Sequence, residues 1–534
     1  MRELLNFLQG DLKCRERFVI SDKTSKAGER RGNFSCRMAG SRVYLVKIDR
    51  NPCPNFGGSR EITETPNERG TNSMQTKETG LLEQYTGSLS QRVEREYYIS
   101  EKYYREDVKR GLRNSDGTGV PVGVTRVGSV LGYMIEDGVR VPVPGQLYYR
   151  GIELNEIVEA HRKAGTFGFE EVAFLLLMGF LPSQWELDRF NEIMNRARKL
   201  PPGFTEDMIM KNPSRNIMNK LARSVLSLYS YDDNPDDISL DNILLQSVRL
   251  VGAFPSIVAN AYSVKRHYFG GGSLHIHFPV VGLSTAENFL RMIRPNTKYT
   301  EEEAHLLDMM LMVHAEHGGG NNSTFVCRAL SSSGTDTYSA IAGAVGSLKG
   351  PLHGGANAKV MEQFRTVKAN VNPKDDASIK DFLYKILNKE AGDKSGKIYG
   401  LGHAVYTISD PRAVLLKKYA RHMAEIKGYD EDFQLLEKIE ELGIPMIQNK
   451  TGSDMPMCAN VDMYSGLVYT MLGIPEDVFT PLFASARIAG WCANRIEEVL
   501  TCHRIMRPAY RAMDKRVHYE PMSARPEHYA HTNP

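Results

Sequence analysis

Apolar residues in the later part of the chain recur at every third or fourth position. The repeat occurs in four stretches that Gly or Pro separates: VEAHRKAG at 158–165, FEEVAFLLLMGF at 169–180, SQWELDRFNEIMNRARKL at 183–200 and SIKDFLYKILNKEAG at 378–392. This spacing places apolar side chains on one face of an α-helix. Thr300, with Glu303 three residues later, predicts a capped start for another helix. The pattern predicts a mainly α protein.

A different pattern precedes these helices. Residues 116–152 are rich in Val, Gly and Tyr and contain the turn signal EDG at 136–138. Runs of β-branched and aromatic residues around such a turn are typical of short strands or a hairpin. We therefore expect an N-terminal segment with helical and β-hairpin structure at 74–149, ahead of the helical part.

Residues 1–73 lack this periodicity. Pro, Gly, Asn and Ser crowd the stretch NPCPNFGGSREITETPNERGTNS at 51–73, which offers too little apolar surface to offset chain entropy. We predict that 1–73 is disordered or a non-native extension, and that Met74 is a possible start. The first residues lack a sustained apolar run, so no targeting signal is expected.

Charge and cysteine content narrow the function classes. The 534 residues carry 67 Lys and Arg against 64 Asp and Glu, and a net charge of +3 gives no reason to expect nucleic acid or a membrane as partner. Apolar patches such as 172–181 are shorter than the roughly 20 residues of a membrane helix. The seven scattered cysteines contain no CxxC pair, so neither a zinc site nor a disulfide framework is expected. A reducing compartment, the cytoplasm, fits this pattern.

Three short strings contain candidate catalytic residues. They are GPLHGGAN at 350–357 with His353, GLGHAVYTISDPR at 400–412 with His403, and NVDMYSG at 460–466 with Asp462. Each has an ordinary structural explanation: a tight turn for HGG, a helix start for DPR, and a cap for an Asp near Asn and Ser. The three strings together, in this order, are much more specific than any one of them.

These strings closely resemble those of the citrate synthase family, and the resemblance covers roughly 116–520. It implies an acyltransferase that condenses acetyl-CoA with oxaloacetate and hydrolyses citryl-CoA to citrate and CoA. In that pattern His353 holds the thioester carbonyl and stabilises the enol, Asp462 removes a methyl proton, and His403 donates to the oxaloacetate carbonyl. A carbon next to a thioester is a weak acid, so both a base and a group that stabilises the oxygen are needed.

The resemblance also implies residues that bind oxaloacetate. They are His317 in HAEHGGGNN, Arg412 in DPR, Arg487 in PLFASARIAG and Arg507 in HRIMRPAY, the last contributed across a homodimer interface. For Arg487 and Arg507, ordinary surface or interface pairing is the alternative. His314 and His317 lie one helical turn apart, but no third ligand has suitable spacing, so no metal is expected. No cofactor is implied, because acetyl-CoA is a substrate.

The implied fold is a homodimer of chains with two helical domains. The large domain comprises 150–352 and 467–534, and the small domain comprises 353–466. His353 and Asp462 then lie near the junctions, where closure of one domain on the other can expel water.

Two positions depart from the family pattern, and two alternatives for the function stay open. Gly318 replaces an acidic residue that family members often carry after the helix histidine. Thr407 stands where family members often carry a basic residue for the coenzyme A phosphate. The first alternative is 2-methylcitrate synthase, which uses propionyl-CoA, because one methylene changes selectivity by only about 1–3 kcal/mol. The second is a non-catalytic acyl-CoA or dicarboxylate sensor, which has no need of the base Asp462.

Overall fold

The computed structural model describes residues 97, 108–114, 118–137, 139–513 and 518–525. Residues 108–510 cluster into one unit, and the other described residues belong to a second. Within the second unit, Met522–Ala524 form a short 3₁₀-helix. The predicted tail at 1–73 lies outside the described residues, as does most of the first half of the segment 74–149.

The predicted hairpin is present. Strands β1 (Gly128–Glu136) and β2 (Val139–Tyr149) pair in antiparallel register from Gly128 opposite Tyr149, and the short strand β3 (Ile152–Glu153) extends the sheet beside β2. The pairing shifts between Leu131 and Tyr133. In this part of the described chain the strands form one small three-stranded sheet in the order β1, β2, β3.

Helices account for most of the remaining described residues. In chain order they are α1 (Leu154–Ala164), α2 (Phe169–Met178), α3 (Gln184–Ala197), α4 (Ile217–Leu228), α5 (Leu240–Gly270), α6 (Thr285–Ile293), α7 (Glu301–His314), α8 (Asn322–Ser331), α9 (Thr337–Lys349), α10 (Ala356–Asn370), α11 (Asp376–Leu387), α12 (Pro411–Lys427), α13 (Asp430–Thr451), α14 (Asp462–Met471) and α15 (Phe479–Thr501). A single π-helical turn at Thr205–Met210 lies between α3 and α4.

Capping residues begin helices where the sequence predicts them. Thr300 caps α7, because its hydroxyl accepts from the Glu303 amide at 3.2 Å while the Glu303 carboxylate accepts from the Thr300 amide at 3.0 Å. Asp410 caps α12, and Pro411 is the first residue of that helix. The predictions of a mainly α fold, a hairpin and a capped helix at this position are confirmed.

The longest described helix, α5, corrects one sequence prediction. It spans 31 residues, and it is the one helix among the described residues that is long and apolar enough to cross a membrane. The most apolar stretch of this helix is 78% buried inside the protein. Because α5 packs against α3, α4, α6 and α15, residues 250–261 are buried on all sides of the helix, and this part shows no polar face. The sequence analysis therefore recognised only shorter patches such as 172–181.

Helices from both predicted domains surround the three strings that contain the candidate catalytic residues. α15 packs against α7 and α8, while α14 packs against α10 and α12. α7 also contacts α12, and an ion pair between Glu303 and Lys427 reinforces that contact. The division of the chain into a large domain of 150–352 with 467–534 and a small domain of 353–466 stays a prediction.

Gly252 lies where α5 crosses α3, and the close approach of the two helices predicts that one added methyl group lowers the stability of the protein. A Cβ at this position would lie 2.6 Å from the Ala197 Cβ and 2.9 Å from the Ala197 carbonyl carbon. Gly252→Ala must therefore push the two helices apart. We expect the free energy of unfolding to fall by about 1–3 kcal/mol, as in other overpacked cores. Denaturant unfolding measures this change.

Gly270→Ala on the same helix is the matched control. The nearest atom to a Cβ there would be the Arg266 Cγ at 4.0 Å, so the methyl group has room. The control should leave the free energy of unfolding unchanged or raise it by about 0.4–1 kcal/mol. Equal losses for both substitutions would exclude the helix crossing as the cause.

Candidate active site

Six of the seven predicted site residues line one cavity of about 140 Å³. They are His317, His353, His403, Arg412, Asp462 and Arg487. Other residues of the wall include Asn321, Leu348, Tyr469, Phe479 and Phe483. The three strings thus meet in space, although long stretches of chain separate them.

His353 lies in the turn between α9 and α10. The turn is tight because the Gly354 amide donates to the Leu348 carbonyl at 3.0 Å, and a Cβ on Gly354 would lie 2.2 Å from that oxygen. The ring Nε2 accepts from the Ser323 amide at 3.3 Å, so the proton of the neutral ring is on Nδ1. Burial and the Arg487 charge lower the pKa of His353 to about 4. The ring is therefore neutral at pH 7 and has an Nδ1–H donor.

Backbone hydrogen bonds join the second string to the third. The Gly402 amide donates to the Cys458 carbonyl at 2.8 Å, and the Asn460 amide donates to the Gly400 carbonyl at 2.9 Å. The Asn460 side chain adds a third bond, from Nδ2 to the Gly402 carbonyl at 2.9 Å. These bonds hold the loop before His403 against the loop that leads into α14.

His403 has the opposite tautomer to His353. The amides of Val405 and Tyr406 both donate to its Nδ1 at 3.1 Å, so the proton of the neutral ring is on Nε2. The ring stacks on Tyr406, with 4.6 Å between centroids, and lies edge-on to the His317 ring at 5.2 Å. Burial and the Arg412 charge lower the pKa of His403 to about 4. His403 is therefore a neutral donor through Nε2.

Arg412 is held by the carboxylate that caps its own helix. Asp410 accepts from Arg412 Nε at 3.0 Å and from Nη2 at 2.7 Å, and it also accepts from the Val461 amide at 3.2 Å. Burial lowers the pKa of Arg412, but the Asp410 carboxylate reverses the shift and raises it above its ordinary value. Nη1 makes no hydrogen bond within the described part of the chain, so the guanidinium is oriented and keeps one free edge.

Asp462 is the first residue of α14. Its amide donates to the Asn460 side chain at 3.0 Å, and its half-buried side chain lines the cavity. Burial raises the pKa of this carboxyl to about 6, while the Arg412 charge opposes the increase. The carboxylate is therefore a stronger base than an exposed aspartate, and it is ionised for the most part at pH 7.

Arg487 is fully buried in α15 and fixes the loop after α7. Its Nε donates to the His314 carbonyl at 2.6 Å, and the Gly490 amide donates to the Ala315 carbonyl at 3.2 Å. Burial lowers the pKa of Arg487 to about 10. Nη1 and Nη2 have no hydrogen-bond partner among the residues that the structure describes. Two buried donors on one planar group are suited to a carboxylate.

His317 lies in the loop that Arg487 fixes. Helix α7 ends at His314, so the prediction that His314 and His317 lie one helical turn apart is wrong; the chain leaves the helix at Ala315. Burial lowers the pKa of His317 well below its ordinary value, so the ring is neutral. Its Nε2 has no partner within the described ranges.

Arg507 and Thr407 lie apart from these groups. Arg507 is exposed in the segment after α15 and does not line the cavity of its own chain. Thr407 is buried, and its hydroxyl donates to the Gly132 carbonyl at 3.2 Å, so this position offers no group to a phosphate. Across the described residues, no group of three or more His, Cys, Asp and Glu side chains is placed to hold a metal ion.

Some groups around the site were not predicted. Ser323 sets the tautomer of His353 from 30 positions away, and no spacing rule connects the two. The sequence indicated Asp410 as the helix cap before Pro411, but it did not indicate the bond between Asp410 and the Arg412 guanidinium. Tyr469, seven residues after Asp462, could have been found, since that spacing lies on one face of a helix.

The chain is similar to characterised enzymes. The family described as the citrate synthase C-terminal domain matches residues 116–509. A citrate synthase from Deinococcus radiodurans is 36% identical over 366 residues, which cover 68% of this chain and 88% of that protein. The 2-methylcitrate synthase 1 from Corynebacterium glutamicum is 31% identical over 382 residues, which cover 70% of this chain and 92% of that protein.

Solved structures have the same fold. A citrate synthase from the archaeon Thermoplasma acidophilum, in a ternary complex with carboxymethyl coenzyme A and oxaloacetate, superimposes with a TM-score of 0.64 at 26% identity. The match covers 79% of this chain and 100% of that one. The family match includes all three strings and the helices that bring them together. The chain therefore belongs to the citrate synthase family and is an acyltransferase.

Proposed function

We propose that the protein condenses acetyl-CoA with oxaloacetate and hydrolyses the citryl-CoA that results to citrate and CoA. The observation that carries this proposal is the combination of groups in one cavity. The cavity contains a carboxylate of raised pKa, two neutral imidazoles with available N–H groups, and two buried guanidiniums. The ligands of the Thermoplasma acidophilum complex support the choice of substrates.

In the first step Asp462 takes a proton from the methyl group of the thioester. Charge then develops on the thioester oxygen, and the Nδ1–H of His353 donates to that oxygen. A preorganised donor in a water-poor cavity stabilises such charge far more than water does. The enol carbon is then the nucleophile.

In the second step the enol carbon attacks the ketone of oxaloacetate. The Nε2–H of His403 donates to the ketone oxygen as it becomes a hydroxyl. Nη1 of Arg412 and the two terminal nitrogens of Arg487 bind the carboxylates of oxaloacetate, and His317 adds a neutral hydrogen bond. Orienting both substrates in this way lowers the barrier by removing translational and rotational freedom.

The assembly and the compartment are part of the proposal. Arg507 binds a carboxylate in the neighbouring site of a homodimer, which its exposed position outside its own cavity supports. A reducing compartment, the cytoplasm, is supported by the free cysteines of the described chain: Cys327, Cys458, Cys492 and Cys502.

The direct test supplies oxaloacetate with either acetyl-CoA or propionyl-CoA and follows the release of free CoA thiol. We expect turnover with acetyl-CoA, and a higher kcat/KM than with propionyl-CoA. A higher value with propionyl-CoA would identify a 2-methylcitrate synthase. If neither thioester releases thiol, the proposed enzymatic activity is rejected, and the result supports a non-catalytic sensor.

The raised pKa of Asp462 predicts the pH dependence of the reaction. Only the ionised carboxylate accepts the methyl proton, so kcat/KM for acetyl-CoA should rise with pH through an apparent pKa of about 6, or higher once bound oxaloacetate neutralises the two arginines that lower it. His353 and His403 have pKa values of about 4 and stay neutral above that range. A pH series of initial rates measures this, and an apparent pKa near 4 would contradict the assignment.

Asp462→Asn is the companion variant for that series. It should lower kcat by about 10²–10⁴-fold, because proton transfer loses its base. Calorimetry should still find oxaloacetate binding, since the carboxylate binders are intact. An active variant with the same pH profile would overturn the role of Asp462.

A complementation experiment tests the shared site. Arg507→Ala and Asp462→Asn chains should each be inactive, but a hybrid dimer contains one site with both groups intact. Equal co-expression should therefore restore about one quarter of the wild-type activity. The control pair is Asp462→Asn with His353→Ala, where every site of the hybrid lacks one group and no rescue is expected. Absence of rescue in the first pair would contradict an Arg507 that crosses the interface.

A further inference from the structure

Two buried polar groups near Asp462 have no role in the condensation. The hydroxyl of Tyr469 is buried and has no hydrogen-bond partner among the described residues. The same holds for both ring nitrogens of His314, the last residue of α7. Buried polar groups in native proteins nearly always have a partner, so two such groups in one place indicate a ligand or an ordered water.

The two groups are neighbours at the cavity wall: Tyr469 lines the cavity, and the His314 ring packs behind the wall, against Tyr469 and Phe483. Tyr469 lines the cavity together with Asp462, and both residues lie on one face of α14. Burial raises the pKa of Tyr469, and the charge of Asp462 adds to that increase. The ring centroids of His314 and Tyr469 are 6.4 Å apart.

Aromatic rings hold both groups in place. The His314 ring packs on Phe483 with 4.4 Å between centroids, and the Tyr469 ring packs on Phe479 at 5.1 Å. Both phenylalanines line the cavity. Burial keeps the pKa of His314 well below its ordinary value, so its ring is neutral and has one nitrogen that donates and one that accepts.

We propose that Tyr469 and His314 bind the water molecule that hydrolyses the condensed thioester, with Asp462 as the acceptor of its proton. This inference rests on the proposed function. The methyl carbon that Asp462 deprotonates is bonded to the thioester carbonyl carbon, about 1.5 Å away. A water next to Asp462 is therefore next to the carbon that it must attack. The Tyr469 hydroxyl donates to the water oxygen, and the bare nitrogen of His314 accepts one of its hydrogens.

The step balances as an acyl transfer to water. After the condensation, the methyl proton on Asp462 passes to His403 and replaces the Nε2 proton that His403 gave to the new hydroxyl, so Asp462 is a carboxylate again. The water oxygen then forms a bond to the thioester carbonyl carbon as Asp462 takes one water proton. The tetrahedral intermediate then collapses, the carbon–sulfur bond breaks, and the electron pair leaves with sulfur. The proton on Asp462 passes to the thiolate, which departs as CoA thiol. The remaining hydroxyl is that of the new carboxylic acid, which ionises to solvent.

Tyr469→Phe tests the inference because it removes the hydroxyl and keeps the ring. Citryl-CoA is supplied directly, and the release of thiol is followed. The condensation is measured separately by quenching a single turnover of acetyl-CoA and oxaloacetate and quantifying citryl-CoA and citrate. We expect hydrolysis to slow about tenfold, the loss typical of one hydrogen bond to a reacting group, and citryl-CoA to accumulate.

Tyr464→Phe is the matched control. It lies on the same helix, but its hydroxyl bonds to Glu440 and it does not line the cavity. Hydrolysis by this variant should match the wild type. His314→Gln is a second test, since it alters the other partner of the water, and it should also slow hydrolysis more than condensation.

The outcomes separate this inference from the proposed function. Selective loss of citryl-CoA hydrolysis in Tyr469→Phe, without loss in Tyr464→Phe, supports the water site. Unchanged hydrolysis, or equal loss of condensation and hydrolysis, overturns it. A wild-type protein that neither condenses acetyl-CoA nor hydrolyses citryl-CoA would instead reject the proposed function.

Discussion

The site depends on the buried carboxylate of Asp410. It accepts hydrogen bonds from the amide and the guanidinium of Arg412 and from the amide of Val461. One anion therefore begins α12, aims the arginine and fixes the residue that precedes Asp462. Without it Arg412 would be a buried cation without its hydrogen-bonded countercharge, and breaking such a buried pair costs several kcal/mol. The second and third strings are coupled through this group.

Burial then sets the protonation pattern of the cavity. In water an aspartate has a pKa of about 3.9 and a histidine of about 6.5, so imidazole is the stronger base. In this cavity the order is reversed: the pKa of Asp462 is about 6, while those of His353 and His403 are about 4. Desolvation is the largest cause in each case. The carboxylate becomes the base, and the imidazoles are left as neutral donors.

The sequence predicted the features that depend on local spacing. The capping box of Thr300 and Glu303 and the start of α12 at Pro411 follow from residues three or fewer positions apart. The family resemblance then placed the six cavity residues together. The sequence could not predict α5, because a helix that is buried on all sides lacks a polar face, nor the loop at Ala315 that separates His317 from α7.

Hydrogen bonds to the two imidazole rings account for most of what was missed. The tautomer of His353 is set by Ser323 and that of His403 by the amides of Val405 and Tyr406. The first of these partners belongs to α8, so it is defined only once the chain has folded. Spacing can identify a catalytic residue type, but the proton position on its ring depends on tertiary structure.

The buried guanidiniums couple the two substrates of the proposed reaction. The charges of Arg412 and Arg487 both lower the pKa of Asp462. A dicarboxylate bound to these arginines would neutralise that effect, so the base becomes stronger once oxaloacetate is in place. The terminal nitrogens of Arg487 lack a partner in the described chain until such an anion arrives. Electrostatics therefore favours oxaloacetate as the first substrate. Asp462 reaches its full basicity only when the electrophile that reacts with the enol is already bound.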